Sequence, residues 1–159
     1  MGGKPVGQNP TARGKIGTKR SVLTDGGGVP IGLAVEGANR HGCKRAHETI
    51  ASSPVERPAP TPEQPQGLCL DKGDACDAVR ALLAECGFTA HLRARGEEAY
   101  ALKQEAGSNA RRWLVERTHS RMNRCRRVLI RWDKKVWNSL AFLHLACAYM
   151  TYRQAGLLG

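Results

Sequence analysis

Two acids in contrasting settings carry the chemical interest of this 159-residue sequence. Asp71 closes the short apolar stretch "GLCLD". Glu116 sits in "RRWLVERTHSRMNRCRR" (111–127), the one carboxylate in a run holding seven arginines. A carboxylate after a β-strand and another on a later helix among arginines suit two-metal phosphodiester chemistry. There, carboxylates hold divalent ions while Arg and Lys grip the nucleic-acid backbone. Hard Mg²⁺ wants oxygen ligands, and a pair of ions needs a further carboxylate to bridge them. The same residues also admit a plainer reading, with Glu116 ion-paired to Arg112 one helical turn away and Asp71 capping a helix. Residue types alone leave both open.

Charge narrows the partner. The chain carries 25 Lys+Arg against 14 Asp+Glu, a net charge of +11, which favours a polyanion such as nucleic acid or an anionic membrane surface. Most of that excess lies in one segment. Between Arg111 and Lys135 ten basic residues face only Glu116 and Asp133. Arg112, Arg117, Arg124, Arg127, Arg131, Lys134 and Lys135 are the candidates for contact with double-stranded DNA. The first fifteen residues are polar and glycine-rich rather than apolar, so no secretory leader is expected. The closest approach to a membrane span, "LAFLHLACAYM" at 140–150, is short and broken by His144, which argues against a membrane protein. The six cysteines then read as reduced thiols of a soluble, cytoplasmic protein.

The elements that must position these residues read as α/β. Residues 1–14 hold one β-branched apolar residue, Val6, amid Gly, Pro, Asn and Gln, and are expected to be a flexible N-terminal segment. Two apolar runs, Ser21 to Leu23 and Val29 to Val35, flank Asp25-Gly26-Gly27-Gly28 and predict a hairpin. Residues 39–53 show weak helical spacing, and the proline-rich 52–66 predicts an internal connector. "GLCLD" predicts a strand, "DACDAVRALLAECG" a helix closed by Gly87, and "FTAHLRAR" a second strand, together a β-α-β unit.

Beyond about Asn109 the sequence turns helical. Leu114, Thr118, Met122, Cys125, Leu129 and Trp132 recur every three or four residues and predict the buried stripe of one long helix. On a wheel of about 100° per residue, Arg112, Glu116, His119, Asn123 and Arg127 fall within roughly 40° of the opposite pole. A second long helix is predicted over about 135–153, apolar almost all round and suited to packing.

Other constellations carry less. His41, Cys43 and His47 lack the spacing of a structural zinc site, and no Cys-x-x-Cys accompanies them. Gly26-Gly27-Gly28 lacks the Gly-Lys-Ser/Thr of a phosphate loop. His119, one helical turn from Glu116, could relay protons, but a solvated or phosphate-contacting role is the simpler expectation. Trp113, Trp132 and Trp137 read as packing residues rather than base-stacking ones.

Three blocks, in order, carry a resemblance: "NPTARGKIGTKRSVLTDGGGVPIGLAVEGANRH", "LCLDKGDACDAVRALLAECGFTAHLRARGEEA" and "ARRWLVERTHSRMNRCRRVLIRWDKK" followed by "LAFLHLACAYMTYRQAGLLG". The chain resembles the C-terminal part of DDE-type insertion-sequence transposases, bacterial enzymes with an RNase H-like catalytic domain. That resemblance implies that Asp71 is the second catalytic acid and Glu116, four residues after Arg112, the third. Both would bind metal, two Mg²⁺ in the family, to nick transposon ends and join them to target DNA. Arg112 would contact DNA backbone near the metals.

In that family the first catalytic Asp lies on a strand just upstream of the "GG…G.NPT.RGK" segment, whereas this sequence starts at Met1-Gly2-Gly3. The expectation is an incomplete RNase H-like fold over 15–159 without its central first strand. That strand would join the hairpin to the strand bearing Asp71, and its loss would expose a hydrophobic edge on each half. The activity would then depend on completion, for instance by the product of an upstream frame or within a homodimeric transposition complex. Asp74, Arg121, Cys125 and Trp137 stand where the family has Tyr, Trp, Phe and Glu. These departures support the alternative of a non-catalytic DNA-binding remnant of a decaying transposase gene.

Overall fold

The computed structural model describes residues 6–9, 13–39, 42–70, 77–91 and 112–157, with only the backbone for 42–44, 112 and 113. Ten elements follow in order. They are β1 (Gly7–Gln8), β2 (Ile16–Thr24), β3 (Pro30–Gly37), α1 (Gly42–Ala51), β4 (Gln66–Cys69), α2 (Asp77–Glu85), β5 (Phe88–His91), α3 (Arg112–Asn123), α4 (Arg126–Leu129) and α5 (Val136–Gln154). The class is mixed α/β, as expected.

The hairpin forms where its turn residues place it. Asp25 Oδ1 accepts the N–H groups of Gly27 and Val29, each at 2.8 Å, and Gly28 adopts φ 83°, a conformation that glycine takes without steric cost. From this turn β2 and β3 pair antiparallel, Val22 opposite Leu33 and Leu23 opposite Gly32. Alternation along the strands separates the two faces. Val22 and Leu33 join Met122 of α3 and Leu143 of α5 in the core. On the opposite face α1 comes so close that a Cβ on Gly32 would stand 2.5 Å from the Thr49 carbonyl oxygen. Ser52 fastens that helix end to the sheet, its hydroxyl donating to the Thr49 carbonyl and accepting the Leu33 N–H, both at 2.8 Å.

The β-α-β unit also forms. β4 and β5 pair parallel from Gln66–Phe88 to Cys69–His91, and α2 buries Val79 and Leu83. Gly87, at φ 73°, ends that helix by donating its N–H to Ala84. The connector contains no helix or strand between Ser53 and Pro65, as its prolines require. It is held by Arg57, whose guanidinium lies 3.8 Å from the Phe88 ring centroid and donates to Gln66 Oε1 at 2.9 Å and the Cys86 carbonyl at 2.7 Å.

Within 1–14, expected as a flexible N-terminal segment, Gly7 and Gln8 form β1 and pair with Gly17 and Ile16. Two expectations are corrected. The long helix predicted after Asn109 stops at Asn123 and restarts as the short α4, with Cys125 extended between them (φ −79°, ψ 103°). Its stripe is therefore buried only in its first half: Leu114, Thr118 and Met122 are inside, whereas Leu129 and Trp132 are 53% and 70% exposed. The cause is tertiary. Arg20 of β2 spans the break, donating to Asn123 Oδ1 at 2.9 Å and to the Val128 carbonyl at 3.2 Å. Lastly, α5 packs through one face, Leu143 and Ala146, while Trp137, Leu145 and Tyr149 stay exposed. No described helix is long and apolar enough to cross a membrane.

Candidate functional site

A cavity of about 460 Å³ opens between the two sheets. It is lined by Arg20 to Thr24 of β2, by Gly67 to Leu70, and by residues of α1 and α3. Glu116 and His119 enter it from α3. The spacing that predicted a polar face on this helix is thus realised over its first turns. Glu116 is exposed to solvent and His119 half-buried.

Helix α3 is fixed to the hairpin at its buried side. The Thr118 hydroxyl, 1% exposed, lies 2.8 Å from the Gly28 carbonyl and 3.0 Å from that of Leu114, donating between them. Asp25 lines the same cavity, but its Oδ1 is engaged by the turn, so it serves the hairpin first. Asp71, one residue beyond Leu70, lies outside the described residues.

The basic residues divide by what they touch. Arg117, Arg124, Lys134 and Lys135 are exposed. Arg127 pairs with Asp133 at 3.4 Å and lies 5.1 Å from the Phe142 ring centroid. Arg131 folds inward, donating to Thr18 Oγ1 at 2.8 Å and to the Asp133 carbonyl at 3.1 Å, which ties the loop before α5 to β2. Arg112 begins α3, and its side chain lies outside the described residues. Sequence reasoning passed over Arg20, which lines the cavity and bridges α3 to α4. A signal existed: in a strand, Arg20 shares its face with buried Val22, and a cation on a core-facing row needs partners.

The description "Transposase DDE domain" belongs to the family whose sequence pattern matches residues 68–153, a span containing one cavity wall, α3, the basic strip and nearly all of α5. The chain belongs to the DDE-type insertion-sequence transposases. It is 30% identical to a putative transposase for insertion sequence element IS402 of Burkholderia cepacia, over 94% of this chain and 70% of that protein. No solved structure matches.

Divalent metal is general in DDE domains, and such an ion needs several oxygen donors. No described group of three His, Cys, Asp or Glu is arranged to hold a metal. Among the described residues Glu116 is the one carboxylate lining the cavity that is not already engaged in a turn, and a hard ion needs more oxygen ligands than it can give. The described residues alone do not make a metal site.

His119 gives the cavity a pH dependence. Burial lowers its pKa below the ordinary 6.5, and the positive charge of Arg20 lowers it further. The folded chain therefore resists protonation where the unfolded chain accepts it. Above the unfolded value both states are neutral and the histidine has no effect. As pH falls through that value, toward the depressed folded one, stability is lost. Urea midpoints for the wild type should consequently drop more between about pH 7.5 and about pH 5.5 than those of His119→Gln. Equal drops in the two proteins would remove His119 as the cause.

Proposed function

We propose that this chain takes part in DNA transposition as a portion of a transposase catalytic domain with an RNase H-like arrangement. The enzyme's activity is to cut and join DNA at insertion-sequence ends by Mg²⁺-dependent phosphodiester chemistry. The single observation that carries the reading is the family match across 68–153, together with Glu116 standing at a cavity between two strand edges. In this reading Glu116 and Asp71 are the chain's metal-binding acids. Arg112, Arg117, Arg124, Arg127, Lys134 and Lys135 hold the DNA backbone, and Arg131 supports the loop that carries the lysines. When bound, the metal would supply an activated water and neutralise charge on the phosphate. With too few oxygen donors described, no step is routed through it.

Two carboxylates are one short of the acidic triad expected in the family, so the purified chain is expected to bind DNA without cutting it. A second reading, a non-catalytic DNA-binding remnant, is favoured by Asp74, Arg121, Cys125 and Trp137 standing where the family has Tyr, Trp, Phe and Glu. Metal titration separates them. In complex with insertion-end DNA, the first reading expects Mn²⁺ affinity to fall at least about tenfold in Glu116→Gln, as is typical when a metal site loses a supporting residue. Equal affinity in both proteins would leave the remnant. Mg²⁺-dependent nicking by the chain alone, abolished in Glu116→Gln, would show instead that its own acids suffice.

A further inference from the structure

Trp132 reads in the sequence as a packing residue, yet it stands 70% exposed in the loop between α4 and α5. That loop is braced. Arg131 donates to Thr18 Oγ1 at 2.8 Å, to the Asp133 carbonyl at 3.1 Å and to the Lys134 carbonyl at 3.4 Å, and Arg127 holds the Asp133 side chain at 3.4 Å. The indole is thus offered to solvent by a backbone tied to β2, and a group held in this way has little further freedom to lose when it binds.

The same braces sort the charge around the ring. From Arg117 to Gly159 the sequence has a single acidic side chain, Asp133, and that side chain is turned inward, only 9% exposed. Arg124, Arg126, Lys134 and Lys135 stay outside. Helix α5 begins with no acid in its first turn and no side-chain hydrogen bond from its N-cap residue, Lys135, so the positive end of the helix adds to the field of the lysines. A large apolar ring therefore stands among cations, with the one nearby carboxylate withdrawn.

Cations alone serve a phosphate backbone, to which an indole adds little. An indole beside cations suits a ligand that has both anionic links and flat apolar faces. DNA shows both where a base is unpaired, because stacking inside a duplex covers the base faces that an aromatic side chain would meet. A lipid surface also takes Trp and Lys together, but a helix lying in the headgroups carries cations along its own polar face, and Arg153 is the one Lys or Arg in α5.

We propose that Trp132 is a stacking platform for an unpaired DNA base, with Lys134 and Lys135 on the phosphates beside it. The exposed basic residues hold DNA through its phosphates, and this loop adds contact with a base that has left the duplex. The inference rests on the reading of DNA as partner and adds to it a preference for single-stranded ends.

Three ligands test it on the full chain: a blunt duplex, the same duplex with a short overhang of thymidines, and that overhang with abasic sites in place of the bases. The two overhangs carry the same phosphates, so a difference between them belongs to the bases. The wild type should bind the base-bearing overhang about fivefold to a hundredfold more tightly than the abasic one. Trp132→Ala should bring that ratio close to one and Trp132→Phe should keep most of it. The urea midpoint of Trp132→Ala should match that of the wild type, since so exposed a ring has little packing to lose. A wild-type ratio near one, with the blunt duplex still bound, would overturn the platform and leave the phosphate contacts standing; binding of anionic phospholipid vesicles lost in Trp132→Ala would then assign the indole to a lipid surface. A ratio that survives in Trp132→Ala would overturn the assignment to this residue. No binding of any of the three ligands would overturn the DNA reading and the platform together.

Discussion

Met122→Ala is expected to lower the stability of the chain by about 2–5 kcal/mol, the usual cost of truncating a fully buried aliphatic side chain. Met122 is 0% exposed and meets Val22, Leu33 and Leu143, so it joins both strands of the hairpin to two helices. Few other described residues could absorb its loss, because Leu83 and Val79, the other large apolar side chains fully buried among the described residues, belong to α2. Against the 5–15 kcal/mol that holds an ordinary domain together, about 2–5 kcal/mol is a large share. Urea unfolding should show a midpoint well below that of the wild type. Leu145→Ala is the control, since Leu145 is 66% exposed on the other side of α5 and its removal should change stability by less than about 0.5 kcal/mol. Equal losses in the two variants would mean that the hairpin and the C-terminal helices do not share this core.

Neutralising Arg124, Lys134 and Lys135 together should flatten the dependence of log Kd on log salt by about two to three units, since each phosphate contact contributes a slope near 0.9. Folding should be unaffected. All three side chains are exposed, and among the described residues none of them donates a side-chain hydrogen bond to another part of the chain. The choice of residues matters. Arg127→Ala would also remove the ion pair with Asp133 and the contact with Phe142, and Arg131→Ala would release Thr18 from the loop before α5. Those substitutions mix binding with stability. An unchanged slope in the triple variant would put the DNA-binding surface elsewhere on the chain.

Such a division among the basic residues was not legible in the sequence. Ten cations between Arg111 and Lys135 announce a polyanionic partner, but sequence cannot tell which of them turn inward. That is decided by acceptors far along the chain, Thr18 for Arg131. The hairpin and the β-α-β unit were legible because their signals are local: a side-chain-stabilised turn at Asp25 and a positive-φ glycine closing α2. The break after Asn123 was not. The apolar spacing continues smoothly through Cys125, Leu129 and Trp132, and no proline or glycine marks the stop. A guanidinium on a distant strand overrides the periodicity there. For the site itself, the polar face containing Glu116 and His119 followed from helical geometry, and the cavity it faces depended on how the strands assemble.

The separation of these contacts along the chain governs when each part can form. Strands β4 and β5 meet across a single intervening helix, and Arg57 ties the preceding connector to them. The hairpin instead awaits residues made much later: Thr118 reaches Gly28 across 90 positions, and Arg20 reaches Val128 across 108. Closing a longer loop costs more entropy, and distant contacts form later for that reason. On the ribosome the hairpin emerges before the helices that cover it, its Val22 and Leu33 waiting until α5 has left the exit tunnel. The folding of the hairpin therefore depends on residues synthesised well after it.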